Sequence, residues 1–281
     1  MAPPYYALRD LADLGGGLAT ATVVRQAPVL PEHDLVEAAQ VARHLAILGS
    51  CAAALAREND RRHHYLATRA IYRRLAPEEL SHLDSPDLIA EAQATWHDKR
   101  SASAMMTLRS SNGTGLYALD VDYAVLPPKI FARLHPDHAA AGDVDLDAEA
   151  EADAFGTDTG RRIDGGWEVD CGPIPVGLCA GHFPGIPAAP VALLMGRLCR
   201  TAGLALADYM EEPTRYRIEY GEVEADRLAR AGQRLVLRAR RGDRRPDGHT
   251  FDCEALADDE VVGRCHVVLS AHLDDHVPGE A

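Results

Sequence analysis

The same order of segments occurs twice along this chain, and the repetition limits the possible folds more than any other feature. Each half contains one long apolar stretch with the length and period of a helix, followed by four strand-like runs. The predicted helices cover residues 34–57 and 189–209, and Asp34 is the expected N-cap of the first. A further strand-like run precedes each helix, at residues 18–24 and 166–173.

The two predicted helices are apolar almost all round, so each must be buried. Several of the strand-like runs alternate polar and apolar residues, which is typical of antiparallel strands with one buried face. One curved antiparallel sheet wrapped around one helix would bury both kinds of surface. We therefore predict an α+β fold with two such units, at residues 1–140 and 166–281. The acidic, glycine-containing segment 141–165 is predicted to be a linker or a long surface loop.

Composition excludes several classes of function. The net charge of −14 argues against a nucleic-acid partner, which would need a basic face. No run of about 18 apolar residues occurs, so no membrane span is predicted. The first residues lack the pattern of a secretory signal, and a cytoplasmic location is expected. The six cysteines are scattered and show no closely spaced pair, so neither a metal site nor any other cofactor is predicted.

The segment GHFPGIPAAP, at residues 181–190, holds a histidine among prolines and glycines directly before the second helix. Proline fixes its own φ angle and restricts the residue before it, so the backbone around His182 should be rigid. Imidazole titrates near neutral pH and can take up and return a proton. The pattern therefore favours a positioned base. The alternative is a structural histidine at a tight turn, with prolines that serve a cis bond or the helix start.

This motif and the repeated plan resemble the β-hydroxyacyl-acyl-carrier-protein dehydratases, a family with the hotdog fold. The family signature is roughly His-Phe-Pro-Gly-x-Pro-x-x-Pro-Gly, and the positions that match it are His182, Phe183, Pro184, Gly185, Pro187 and Pro190. The resemblance implies a double hotdog in which His182 removes the α-proton of a 3-hydroxyacyl thioester. It also implies that Phe183, Gly185 and Val191 bind substrate, with a backbone N–H at the helix start holding the thioester carbonyl.

The chain departs from the family at the second catalytic position. The family has a carboxylate fourteen residues after the histidine, where this chain has Gly196. Because the family site forms between two hotdogs, the resemblance implies that the first helix supplies the partner of His182. The candidates are Glu37, Gln40 and His44. Either Glu37 replaces the acid, or Gln40 only binds water or the hydroxyl, or the acid is lost; alternatively these residues form a solvated stripe.

Three functions follow from these alternatives. The first is a lyase that dehydrates 3-hydroxyacyl chains carried by an acyl carrier protein, in fatty-acid or polyketide biosynthesis. The second is a hotdog thioesterase, in which Glu37 would act as base or nucleophile. The third is a non-catalytic acyl-binding subunit that needs a second hotdog protein; a homodimer is equally compatible with the sequence. The arginine-rich stretch at 234–245 either docks an acidic carrier or is a solvated hairpin.

Overall fold

The computed structural model describes residues 5–24, 31–57, 62–75, 87–135, 160–183, 186–212 and 214–272. These residues contain twelve strands and three helices. The first half comprises β1 (Arg9–Gly15), β2 (Leu18–Val24), α1 (Ala38–Leu55), β3 (His64–Arg74), β4 (Asp87–Trp96), β5 (Ser101–Arg109), β6 (Gly115–Leu126) and α2 (Pro128–Leu134). The second half comprises β7 (Gly160–Ile163), β8 (Gly166–Pro173), α3 (Val191–Met210), β9 (Arg215–Ala225), β10 (Arg234–Arg245), β11 (Gly248–Ala257) and β12 (Glu260–His272).

All twelve strands join in one antiparallel sheet with the order β1-β2-β4-β5-β6-β3-β9-β12-β11-β10-β8-β7. Read outward from the central β3–β9 pair, the two halves have the same strand order. Ile71 lies opposite Glu222 at the middle of this pair, and each is the eighth residue of its strand. The halves are therefore related by an approximate twofold axis through this residue pair.

Each long helix is buried against its own half of the sheet. Helix α1 packs on β2, β4, β5 and β6, whereas α3 packs on β8, β10 and β11, and the two helices also contact each other. Helix α1 is long and apolar enough to cross a membrane by length and composition alone, but 72% of it is buried inside this fold. Its apolar surface is thus used in the core, as expected for a helix that is apolar all round.

The strand predictions at 18–24 and 166–173 are confirmed to the residue. Asp34 is not the N-cap of α1, because the helix begins only at Ala38. The Asp34 carboxylate instead accepts a hydrogen bond from the Arg74 Nε, 2.9 Å away, and both side chains are nearly inaccessible. Asp34 could have capped the helix, but it is paired instead with an arginine of β3, 40 residues further along the chain.

Three elements were absent from the predictions: β1, β7 and α2. Strand β7 lies inside the predicted linker 141–165, of which residues 141–159 lie outside the described part of the chain. The arginine-rich stretch forms β10. There Arg234 and Arg238 make ion pairs with Asp170 and Glu168 of the neighbouring β8, so part of its charge is neutralised within the sheet.

Candidate active site

The loop that carries His182 is held by backbone hydrogen bonds on both sides of the histidine. A short 3-10 turn at Gly177–Cys179 precedes it, and Gly181 has a φ angle of +71°, which favours glycine. After the histidine, the Ala189 N–H donates to the Ala229 carbonyl at 2.8 Å, and a bridge joins Ala188 to Arg230. The segment before α3 is thereby fixed to the loop that follows β9.

The His182 ring has a defined tautomer. Its Nδ1 lies 3.1 Å from the Ala188 carbonyl oxygen, which can only accept, so Nδ1 carries the hydrogen and Nε2 is left as an acceptor. The ring also packs against Phe183 and Tyr5, with centroids 4.0 and 4.8 Å away. Burial lowers the pKa of His182 to about 4, although the bond to Ala188 acts in the opposite direction. The imidazole is therefore neutral at pH 7.

The N-terminus of α3 presents backbone N–H groups at the same place. The helix follows Pro190, and no side chain caps it. Its first hydrogen bonds to Pro190 come from the N–H groups of Leu193 and Leu194, at 3.1 and 3.2 Å. The N–H groups of Val191 and Ala192 precede these bonds and belong to the unsatisfied donors of a helix start. Such a terminus attracts developing negative charge.

His182, Val191 and Ala192 line a cavity of about 280 Å³ whose wall is mostly apolar. Both halves contribute, because α1 and the β3–β6 pair form one side and the residues around His182 the other. On α1 the lining runs from Ala42 to Ser50, which is about 12 Å of helix. The lining residues with a hydroxyl, imidazole or charged group are Tyr5, Ser50, Tyr65, Thr68, Tyr123, His135, His182, Asp226 and Arg227.

Of the residues predicted for the site, His182, Phe183 and Val191 line this cavity, and Gly185 lies outside the described residues. The structure does not bring Glu37, Gln40 and His44 to it. None of the three is among the residues that line the cavity, and the lining residues of α1 are Ala42, Ala46, Ile47 and Ser50.

Glu37 and its neighbours form a separate polar group. Burial raises the pKa of Glu37, whereas Arg200, Arg197 and Arg43 lower it, as does a hydrogen bond from Gln40. The carboxylate thus lies among arginines of α3 and α1, and its companion Gln40 points the same way. His44 is fully buried, and its pKa is lowered to about 4 by burial and by Arg43.

Gly196, where the resembling family has its carboxylate, lies at the crossing of the two long helices. A β-carbon built there would be 2.6 Å from the Ala39 β-carbon, far inside contact distance. The position therefore has no room even for a methyl group. The departure from the family motif has a packing reason, and it removes the acid that dehydration needs.

Sequence reasoning missed the residues that complete the cavity wall, above all Tyr5, Ser50, Tyr65 and Tyr123. Tyr123 is buried and donates from its hydroxyl to the Ala46 carbonyl at 2.7 Å, while Ser50 donates to Ile47 at 2.8 Å. The alternation of β3 and β6 identified these strands, but not which strand face meets the cavity. Among the described residues, no three His, Cys, Asp or Glu side chains lie together as a metal site would require.

Comparisons with known proteins agree on the fold. No family model and no curated protein matches the chain. A solved structure from Lactobacillus plantarum, provisionally described as an oleoyl thioesterase, aligns with 12% identity over 90% of this chain and 95% of its own, at a TM-score of 0.59. The 12:0-ACP thioesterase from Umbellularia californica aligns with 9% identity over 92% and 95%, at 0.52. A protein of unknown function from Alicyclobacillus acidocaldarius, described as having the hotdog fold, aligns with 10% identity over 94% and 96%, at 0.54.

These similarities establish the hotdog fold for this chain. The two neighbours with a named activity are thioesterases, which are hydrolases, and this contradicts the predicted assignment as a lyase. The lyase assignment is therefore wrong. It rested on the histidine motif, which holds a histidine in place but supplies only half of the groups that a dehydratase site has.

Proposed function

We propose that the protein is a double hotdog acyl thioesterase: it hydrolyses acyl thioesters to a free acid and a thiol, with His182 as the base. The observation that carries the proposal is a largely apolar cavity that has a neutral histidine and a free helix N-terminus on the same wall. The apolar cavity can hold an acyl chain, and the neutral histidine can activate a water molecule. The helix N-terminus can stabilise the negative charge that develops on the carbonyl oxygen.

The acyl chain would lie between the two halves. The cavity wall includes Ala42 and Ala46 of α1, Leu119 and Val121 of β6, and Met195 of α3. These side chains offer an apolar surface without a charged group, so an alkyl chain that enters is removed from water without burying a charge. The thioester would remain near the α3 N-terminus, where the wall becomes polar.

The chemistry balances with the chain's own groups. Nε2 of His182 accepts a proton from a water molecule as the water oxygen bonds to the thioester carbonyl carbon. The carbonyl oxygen becomes an oxyanion facing the N–H groups of Val191 and Ala192. The carbonyl then re-forms, the C–S bond breaks, and the sulfur takes the proton from the imidazolium. A thiol has a pKa near 8.5, so it leaves without a dedicated acid, in contrast to the hydroxyl of a dehydration.

Other basic groups in the wall are less suited to the role. Asp226 is exposed and pairs with Arg264 at 2.6 Å. His135 lies at the end of α2 and packs edge-on against Phe131, 4.9 Å between centroids. Neither lies in the loop that leads into α3, whereas His182 does.

The thiol would be the phosphopantetheine arm of an acyl carrier protein. Near the cavity, α2 exposes Lys129 and Arg133 beside the apolar Ile130 and Leu134, and Leu134 itself lines the cavity. A basic and apolar helix next to the cavity suits an acidic protein partner. A cytoplasmic location and the oligomeric state stay predictions.

A single substrate tests the proposal. The protein is incubated with a 3-hydroxydecanoyl thioester, on a carrier protein and on pantetheine, and the products are separated by mass spectrometry. We expect free 3-hydroxydecanoic acid and thiol, and a loss of at least about 100-fold in rate in His182→Ala. His266→Ala is the matched control, because His266 is a partly exposed histidine on β12 that pairs with Asp252 and does not line the cavity.

Two outcomes would contradict the proposal. A 2-enoyl thioester as product would mean dehydration despite Gly196. Binding of the thioester without any turnover would favour a non-catalytic acyl-binding subunit that needs a partner.

A further inference from the structure

The twofold relation between the halves implies a second position for a cavity, which we call the mate position. There the start of α1 and strand β9 take the places that the start of α3 and strand β3 have in the first cavity. The start of α1, Ala38, corresponds to Val191 at the start of α3. Counted from the helix starts, Ser50 in the cavity wall corresponds to Gly203. Counted from the strand starts, Tyr65 in the wall corresponds to Tyr216.

In the mate position, a tyrosine ring fills the space. Tyr216 is fully buried, and a β-carbon built on Gly203 would lie 2.1 Å from its Cε1 atom. The ring therefore lies directly on α3, at the level where Ser50 faces open space in the other half. Tyr65 is placed differently: its ring lies 6.3 Å from that of Trp96 and leaves the cavity open.

The helix N-terminus in the mate position is also occupied. The Ala38 N–H donates to Oε1 of Glu32 at 2.7 Å, and Glu32 is 6% exposed. A carboxyl group of the chain itself thus stands where the α3 N-terminus leaves Val191 available. Its Oε1 accepts a hydrogen bond from the N–H of the helix start, as the thioester oxygen would at α3.

The backbone explains why the two halves differ. The segment before α1 is bonded to the start of β9: the His33 N–H donates to the Tyr216 carbonyl at 2.7 Å, and the Tyr216 N–H donates to Pro31 at 3.2 Å. The segment before α3 is bonded instead to the loop after β9, through Ala229 and Ala231. The approach segment of α1 is therefore bonded directly to Tyr216, whereas that of α3 is bonded to the loop after β9.

We infer that the chain holds a second acyl site that is closed from within, with the Tyr216 ring in place of the acyl chain and the Glu32 carboxyl group in place of the thioester oxygen. The inference rests on the proposed function, because it takes the first cavity to be the acyl site. It identifies Tyr216 as the residue that limits the protein to one acyl chain per molecule.

Isothermal titration with octanamide, a neutral acyl probe that cannot be hydrolysed as a thioester, tests the inference. We expect one site in the wild type and two in Tyr216→Ala and Tyr216→Val. Tyr209→Ala is the control, because Tyr209 is an exposed tyrosine of α3 that does not line the cavity, and it should keep one site. Adding Glu32→Ala to Tyr216→Ala should tighten the second site, since the Ala38 N–H then becomes available to the probe.

One site in folded Tyr216 variants, with one in the wild type, would overturn this inference and leave the proposed function intact. No site in the wild type would overturn the acyl cavity itself. Circular dichroism and thermal melting report whether the variants fold. Failure of both to fold, even with octanamide present, would show that a ligand cannot replace the ring and would also overturn the inference.

Discussion

At the scale of single residues, His182 has one ring nitrogen engaged and the other available. Because burial lowers its pKa to about 4, the ring stays neutral far below the ordinary histidine value of 6.5. A base is active only when unprotonated, so kcat/KM should fall only as the pH drops through about 4. Initial rates of thiol release against pH measure this, and tryptophan fluorescence at each pH reports that the fold is intact. An acid limb centred near 6.5 would contradict the assignment.

Glu32 makes a second prediction at this scale. Burial raises its pKa to about 8; the Ala38 N–H lowers it, while Glu37 and Asp34 raise it further. A carboxyl whose pKa is raised by folding stabilises the folded state fully below its unfolded pKa of 4.5, and this contribution is lost as the pH rises toward 8. The side chain of Glu32→Gln cannot ionise, so this variant does not lose that contribution. As the pH rises through the window, the free energy of unfolding of the wild type should fall relative to that of the variant by at most about 1.4 kcal/mol per pH unit.

Urea unfolding at several pH values between these limits gives the comparison. Glu260→Gln is the control, because Glu260 is an exposed carboxylate on β12 that pairs with Arg227. Its difference from the wild type should not grow with pH across the window. A constant difference for Glu32→Gln as well would mean that Glu32 is ionised in the folded protein throughout.

At the scale of elements, the crossing of α1 and α3 depends on Gly196. Alanine there gains up to about 1 kcal/mol of helix propensity. It also places a β-carbon 2.6 Å from that of Ala39, which is fixed to its own helix backbone and cannot turn away. We expect Gly196→Ala to lose about 1–3 kcal/mol in net stability by overpacking. Gly177→Ala is the control, since nothing lies within 4 Å of its β-carbon position; a stabilised Gly196→Ala would contradict the close crossing.

The elements that the sequence predicted well are those with a buried face. The long apolar helices and the alternating strands carry their burial pattern in their residues, and the bounds of β2 and β8 were predicted to the residue. Strand β1 is exposed along its length and has no such alternation. Strand β7 has four residues, and α2 has seven, so neither reaches the length at which a period is visible.

At the scale of the whole molecule, only half of the cavity wall could be predicted from the sequence. His182 and Val191 lie in one continuous motif, so local sequence was enough to name them. The opposite wall comes from residues far away in the chain, such as Tyr5 and Tyr123, and from one face of α1. An almost uniformly apolar helix does not reveal which face will meet a cavity, since this depends on how the halves pack. The family resemblance therefore pointed to Glu37, Gln40 and His44 on this helix, and none of them lines the cavity.

The shared cavity gives the last prediction. The sheet is continuous through the β3–β9 pair, and the cavity wall takes residues from both halves. Residues 1–140 and 141–281, produced as separate chains, should each be inactive, because each exposes an unpaired central strand and lacks one wall. Produced together, they should associate and recover thioester hydrolysis, measured by thiol release and size-exclusion chromatography. The α3 N-terminus and His182 are both in the second chain, so hydrolysis by that chain alone at the wild-type rate would show that α1 contributes no essential wall.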